Sequence, residues 1–415
     1  MSNVGNKKIG RRQLLAGAAV GAAGYALGAC TAPPTSTQAT KAPSGQQPAG
    51  QATAAPSAAP KTAPPAQGAA KFNWKMQSTW GASDWHQHNP TQFAAKVKEM
   101  SDGRLNIEVL PAGAVVPAAE LLDAVNKGIL DACNSWPGYW YGKNTAFTLF
   151  GSIPGGPFGM NNEDYLAWLY LGGGLDMYNE LLQKEMKLDL ICFPSFGETP
   201  EPLGWFKNQI KTINDFKGLK FRAGGISGEV FKAMGMQVVT LAGGEIVPAL
   251  ERGTIDAAEY SDPTSDMTNG FHEVVQYYHL PSTHQPTGIM ENLIKKSKWD
   301  QLPADLKAIV KYAAMAETLE YTLEMADRNA NDLLTLVQKH NVKVVKSPLD
   351  IQQEILKGWD IVAEQKAKEN PTFAKIYESQ RKWAQVRVPY RLLGHPDYKT
   401  AAEYYWGTDN VYKPL

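Results

Sequence analysis

The sequence predicts an α/β fold of two lobes, with hinge strands between them and a long C-terminal helix bracing both. Three observations carry that expectation. Two stretches, 72–133 and 218–260, alternate short β-type runs with short helical runs in a βαβαβ rhythm, the signature of parallel strands joined by helices. Apolar runs at 188–193 and 289–294 lead out of the first stretch and back to it. From Pro303 to about His340 the helical pattern is unbroken.

A chain of 415 residues can hold two ordinary domains and a sizeable core. Formal net charge is zero, and no basic patch or Arg-rich tail occurs, so nucleic acid is not an expected partner. The first residues read as an export signal. Gly10-Arg11-Arg12-Gln13-Leu14-Leu15 is a twin-arginine start, and the small-residue apolar run at 14–26 is too short and glycine-rich to span a membrane. Leu27-Gly28-Ala29-Cys30 reads as a lipobox, with Cys30 the lipidated first residue of the mature chain; the competing reading is a general secretory signal with an incidental Arg pair. Residues 31–70 are Ala, Pro, Thr, Gln, Ser and Gly, with only Lys41 and Lys61 charged and no aromatic, a disordered tether reaching roughly 35 Å. Localisation is then periplasmic or on the outer face of the cell membrane, with the protein held by Cys30.

The folded part begins at Lys71. Phe72–Ser78 reads as a strand, 90–100 as an amphipathic helix, Leu105–Leu110 as a strand, 118–127 as a helix stopped by Gly128, and 129–133 as a strand. Trp136, Tyr139, Trp140, Tyr141, Phe147, Phe150 and Phe158 crowd a Gly/Pro-rich stretch that either covers a core or walls a ligand. Residues 163–186 read as helical. The expected division is 71–194 with 282–302 as the first lobe, 195–281 as the second, and 303–415 as the long helix and further helices packing on both, with hinge strands near 192–196 and 277–281. Cys133 and Cys192 each lie in a short apolar run and are either disulfide-bonded or buried thiols.

The chemistry sits where strands end. Arg222 follows Lys220-Phe221, and Glu259-Tyr260 follow Asp256-Ala257-Ala258; open α/β sheets bind ligands at the carboxyl ends of their strands. Arg222 is either an anion anchor, its guanidinium offering parallel donors to a carboxylate, or a structural ion-pair partner. An enzyme finds little support. His272-Glu273-Val274-Val275-Gln276 lacks the second histidine of a zinc-protease helix, and the Ser in Gly225-Ile226-Ser227-Gly228 is not in a nucleophile elbow. His86 and His88 near Asp84 read as a solvated start of a helix rather than a metal site.

The order of motifs resembles the extracytoplasmic solute receptors of TRAP transporters, most closely the branch binding 2-oxo acids, lactate and related monocarboxylates. The matching residues are Gly204-Trp205-Phe206, Gly218-Leu219-Lys220-Phe221-Arg222, Gly243-Gly244-Glu245, Ala249 through Tyr260, Tyr139 through Lys143, Pro157-Phe158-Gly159, and His284 followed by Glu291. The resemblance implies a periplasmic-binding-protein-like fold and a receptor rather than an enzyme. It also implies delivery of a small carboxylate solute to TRAP membrane subunits. Arg222 then clamps the carboxylate, with Trp80, Tyr139, Trp205, Tyr260 and His284 around the solute. Glu259 helps hold a calcium or sodium ion that bridges to it, or else only pairs with Arg222. The chain departs from the branch at Gly197-Glu198-Thr199-Pro200-Glu201-Pro202-Leu203. The family's glutamine cation ligand falls at or near Pro202, which has no side-chain oxygen. Either Glu198 or Glu201 replaces it, or the ion is gone. The long helix and the aromatic tail (Tyr390, Tyr404, Tyr405, Trp406) point to a homodimer. A receptor for another importer or for a sensor protein is the alternative.

Overall fold

The computed structural model describes residues 71–407; the twin-arginine segment, Cys30 and the tether lie outside the described residues. In chain order the strands are β1 (Phe72–Ser78), β2 (Leu105–Leu110), β3 (Ala132–Ser135), β4 (Leu190–Gly197), β5 (Gly204–Phe206), β6 (Lys220–Arg222), β7 (Gln237–Val239), β8 (Ala257–Ala258), β9 (Tyr277–Leu280), β10 (Ile289–Lys295) and β11 (Lys343–Lys346). They form two sheets, ordered β2-β1-β3-β10-β4 and β11-β9-β5-β8-β6-β7. In the first, β1 runs parallel to β2 and β3, with helices His88–Met100 and Leu121–Lys127 as crossovers. Gly128, at φ 76°, ends the second of these in the left-handed region that favours glycine. In the second sheet β6, β7 and β8 are parallel, joined by helices Ser227–Ala233 and Gly243–Glu251. The rhythm read at 218–260 is therefore that of the second lobe.

The chain crosses between sheets at 198–203, after β4, and returns at 281–288, before β10. Strand β10 lies antiparallel between β3 and β4, with Leu293 opposite both Cys133 and Cys192. Two strand spacings put those cysteines roughly 10 Å apart, beyond the reach of a disulfide, and both are buried free thiols.

The long helix spans Ala304–Gln338, roughly 50 Å at 1.5 Å per residue. Its Leu306, Val310 and Ala313 pack into the first lobe's core with Trp74 and Phe93. Its Leu333 and Leu336 join the second lobe's core with Trp205 and Tyr278, and Tyr321 and Met325 meet Trp80 and Trp136 between them. It braces both lobes. Helices Leu349–Glu369 and Pro371–Gly394 pack Ile355, Trp359 and Phe373 into a core shared with Phe150 and Phe231.

One local expectation fails for an identifiable reason. The helical stretch at 163–186 breaks into Asn162–Leu171 and Gly174–Glu180 with a π-type turn at Leu181–Glu185, because Gly173 sits at φ 83° between them. Strand β11, in the short stretch between the long helix and the next, adds to the second sheet's edge beside β9.

On β10 of the first sheet, Glu291 is fully buried and accepts from Trp140 Nε1 at 2.6 Å and from the Tyr178 hydroxyl. Burial pushes its carboxyl up to about 8. A carboxyl raised in the folded state contributes stability that is complete below the unfolded value near 4.5 and is lost as pH rises through about 8. Glu291→Gln should therefore flatten the fall in melting temperature between pH 5 and 9. An unchanged slope would show that Glu291 folds ionised.

Candidate functional site

Parallel pairing of β6 with β8 sets Arg222 opposite Ala258, so Glu259 comes next to the guanidinium at the sheet's carboxyl edge. Both are buried, at 2% and 1% side-chain exposure. Arg222 Nε and Nη2 donate to the Leu241 carbonyl at 3.1 and 2.9 Å, and Nη1 donates to the Glu259 carbonyl at 2.9 Å and to Glu259 Oε1 at 3.1 Å. Of the guanidinium's five N–H groups, one remains for a ligand. Burial alone would raise Glu259, but the Arg222 charge, with hydrogen bonds from Glu201 and the Gly224 N–H, holds it below the usual carboxylate range.

The two crossings supply the other charged groups. Glu198 and Glu201 come from the outward crossing, His284 and Gln285 from the return. Ligand atoms of Glu201, Glu259 and His284 all lie within 4.8 Å of one another, and all three residues are buried. Gln285 Nε2 donates to Glu201 Oε2 at 2.8 Å. Glu201 Oε1 and His284 Nε2 face each other at 3.5 Å, and neither has a hydrogen-bond partner. Burial, with the Glu259 charge, pushes Glu201 well above the ordinary carboxylate range and Glu198 to about 8. Burial lowers His284 to about 4. Unpartnered polar atoms crowded around a buried carboxylate fit a cation, because a positive charge there satisfies oxygens that otherwise meet few donors.

The first lobe closes the cleft, leaving a cavity of only about 20 Å³ lined by Trp80, His86, Trp136, Tyr139, Glu198, Arg222, Glu259 and Tyr260 among others. Trp80 is fixed by its indole N–H on Asn134 Oδ1 at 2.6 Å. Tyr139 packs edge-on to Trp136, and burial pushes its hydroxyl up to about 12. The lobes touch closely where Trp136 overlies Gly225, at φ 55°; a Cβ there would stand 2.8 Å from the indole ring. Asp84 Oδ2 accepts from the Tyr260 hydroxyl and, at 3.0 Å, from Asn269 Nδ2, while Asp84 Oδ1 accepts from the His86 N–H. His86 Nε2 lies 2.8 Å from Ser261 Oγ and Nδ1 lies 3.0 Å from the Tyr321 hydroxyl. One short turn after β1 thus holds the second lobe and the long helix together.

Arg222, Glu259, Tyr260, Trp80, Tyr139 and Glu198 line one cleft. Trp205 does not: it is buried in the second lobe's core, stacked on Tyr278 with its indole N–H on Asp266 at 2.8 Å. His284 sits behind the cleft wall with the carboxylates, against Phe231. Glu198 lines the cleft, yet the carboxylate that joins Glu259 and His284 is Glu201. Asp84 and His86, read as solvated, are buried at 3% and 1% exposure. Their proximity to the helix start was visible in the sequence; Ser261 and Tyr321, which pull them inward, lie 175 and 235 residues away.

Two lobes and a cleft at the carboxyl edges of parallel strands, with a buried arginine in its wall, are the architecture of an α/β solute-binding protein. The chain belongs to the DctP family, bacterial extracellular solute-binding protein family 7, whose pattern matches residues 76–369. It is 31% identical over 335 residues, 81% of this chain and 90% of the relative, to a monocarboxylate 2-oxoacid-binding periplasmic protein of Nostoc sp.. A TRAP solute-binding protein of Bordetella bronchiseptica, a dimer with calcium and picolinate at its active site, superposes with TM-score 0.75 at 27% identity, covering 81% of this chain and 97% of that one. One from Pseudoalteromonas atlantica, with sodium and pyruvate bound, gives 0.73 at 30% identity, covering 80% and 99%. Another from Colwellia psychrerythraea, with calcium and pyruvate bound, gives 0.73 at 29%, also covering 80% and 99%. The protein is a TRAP-type extracytoplasmic solute receptor.

Hydrogen bonds to a charged group contribute about 1.5–3 kcal/mol each, so removing Asp84, which accepts two across the lobes, should cost the closed form at least about tenfold in population. Under conditions where wild-type scattering fits the closed structure, Asp84→Ala should show a larger radius of gyration. An unchanged radius would mean the turn after β1 does not hold the lobes.

Proposed function

We propose that the cleft captures a small monocarboxylate, a 2-oxo acid of the size of pyruvate, and that a cation held by Glu259 and its neighbours bridges to it. The observation that carries this reading is the buried Arg222 beside a cluster of orphaned carboxylate and imidazole acceptors. The chemistry is complementary. A 2-oxo acid offers adjacent carboxylate and carbonyl oxygens to a cation, and its carboxylate takes the remaining Arg222 donor. A cation drawing on Glu259 would also weaken the Glu259–Arg222 bond and free a second N–H for the solute. Trp80, Trp136, Tyr139 and Tyr260 exclude water, which strengthens each charged contact. The named relatives support the solute class: pyruvate bound with sodium or calcium in two of them, 2-oxo acids in the Nostoc protein. The role is capture and delivery, not turnover. Solute shifts the lobes to the closed form by binding it better than the open one, and the TRAP membrane subunits read that form.

We also propose that Cys30 carries the lipid anchor and that the chain forms a homodimer. Tyr404 and Leu393, at 82% and 89% exposure, head a row of exposed apolar side chains on the last two helices. A groove of Phe158, Tyr377, Ala384 and Val388 runs between helices Leu349–Glu369 and Pro371–Gly394. One relative is itself a dimer.

By calorimetry, wild-type protein should bind pyruvate, and Arg222→Ala should weaken that binding by at least about tenfold, the loss of one charge-assisted contact. Equal affinity in the variant would sink the clamp. In cells, Cys30→Ala should move the protein out of the membrane fraction. Light scattering should give twice the chain mass, falling to one chain on truncation after residue 394; a monomeric full chain would remove the dimer.

A further inference from the structure

We propose that Asn134 and Glu317 are positioning residues for solute recognition, which set the Trp80 wall of the cleft through a one-way relay of buried hydrogen bonds. The inference rests on the proposed reading that Trp80 faces a small carboxylate solute. It adds two residues that line no part of the cleft.

The relay runs from the cleft wall to the long helix. The Trp80 indole N–H donates to Asn134 Oδ1 at 2.6 Å, and Asn134 Nδ2 donates to Ser195 Oγ at 2.8 Å. The Ser195 hydroxyl donates to Asn89 Oδ1, and Asn89 Nδ2 donates to Glu317 Oε1 at 3.1 Å. Asn134 lies on β3, Ser195 on β4, Asn89 on helix His88–Met100 and Glu317 on the long helix, so four elements meet in one line. All four side chains are buried. At the far end Lys96 Nζ donates to Glu317 Oε2 at 2.7 Å.

Groups with a single possible role fix the direction of every bond. An indole nitrogen can only donate, which turns Asn134 Oδ1 toward Trp80 and its amide nitrogen toward Ser195. Asn89 Nδ2 also meets the Ser195 carbonyl at 3.3 Å. A carbonyl can only accept, so Asn89 Oδ1 faces the Ser195 hydroxyl. Every donor therefore points away from the cleft and toward Glu317. Hydrogen bonds aligned head to tail in a low dielectric polarise one another. A carboxylate at the end makes Asn89, Ser195 and Asn134 in turn stronger acceptors, and the last of these holds Trp80. A network that only satisfied buried polar groups would need no common direction. The cleft has reason to need the support: its cavity is only about 20 Å³, and a binding group must be held to within about 0.5 Å by the contacts behind it.

The test reads Trp80 directly and then the solute. In the proton–nitrogen NMR spectrum, the Trp80 indole resonance is identified by its loss in Trp80→Phe. It should move upfield in Glu317→Gln, the mark of a weaker hydrogen bond. It should stay in place in Glu320→Gln, which removes the other carboxylate on Lys96. By calorimetry, Glu317→Gln and Asn134→Ala should each weaken pyruvate binding by about threefold or more. Both losses should vanish in the Trp80→Phe background, because a residue acting through Trp80 has nothing left to act on. Glu317→Gln keeps the side chain's shape, so the result stands if Asn134→Ala fails to fold. An unmoved resonance in Glu317→Gln, an equal shift in Glu320→Gln, or losses that persist in the Trp80→Phe background would overturn the proposal and leave the proposed function standing. Wild-type protein that binds no pyruvate would remove the solute assignment, and the resonance would then decide the relay by itself.

Discussion

The arrangement depends on one costly choice, an arginine and a glutamate buried together at the carboxyl edge of the second sheet. An ion pair this deep gains Coulomb energy in a low dielectric but gives up the hydration of both ions, and it persists only where further hydrogen bonds complete each partner. Two backbone carbonyls do this for Arg222, and the Gly224 N–H does it for Glu259. Those carbonyls belong to residues 241 and 259, so the guanidinium is seated by the ends of two βα units rather than by side chains that could relax. The anchor is rigid because the sheet is.

That rigidity explains why the second lobe was readable in the sequence. A strand of three residues ending in Arg222, a parallel strand ending before Glu259 and glycines between them fix the pair by local pattern alone. The cation cluster is different. Glu201 and His284 sit in the two crossings, which have no periodicity, and they meet because β4, β5, β9 and β10 pass between sheets at one place. Sequence left Glu198 and Glu201 both open as the carboxylate near Glu259; only the folded crossings bring Glu201 to Glu259 and His284. Trp205 misled for the opposite reason. It lies in a matching motif, but a strand alternates its side chains between faces, and Trp205 points to the core that stacks on Tyr278.

The first lobe's contribution was hidden by burial rather than by distance along the chain. Asp84 and His86 are polar residues at the start of a helix, where solvent exposure is the ordinary expectation. They are buried because Tyr260, Ser261, Asn269 and Tyr321 provide partners from the other lobe and from the long helix. A buried polar group without partners is costly, so these contacts stabilise closure only when all of them form. Opening the lobes exposes Asp84 and His86 to water, which offsets part of the hydrogen bonding lost and leaves a net preference for the closed form.

Closure is therefore balanced between opposed terms. The turn after β1 and the Trp136–Gly225 contact favour the closed form. Glu198, Glu201 and Glu259, gathered where little water reaches, oppose it as they ionise, because like charges in a low dielectric repel strongly. A cation reverses the sign of that second term, and the solute carboxylate then offsets the surplus positive charge. Neither ligand needs large differential affinity alone, since each removes a penalty that the other would otherwise meet. Binding of cation and solute is thus expected to be mutually reinforcing, and linkage requires the enhancement to be the same in both directions. The long helix is suited to carry the outcome. Its Tyr321 is bonded to His86 at the cleft, while its two ends are packed in different lobes, so it cannot follow one lobe without disturbing its contacts with the other.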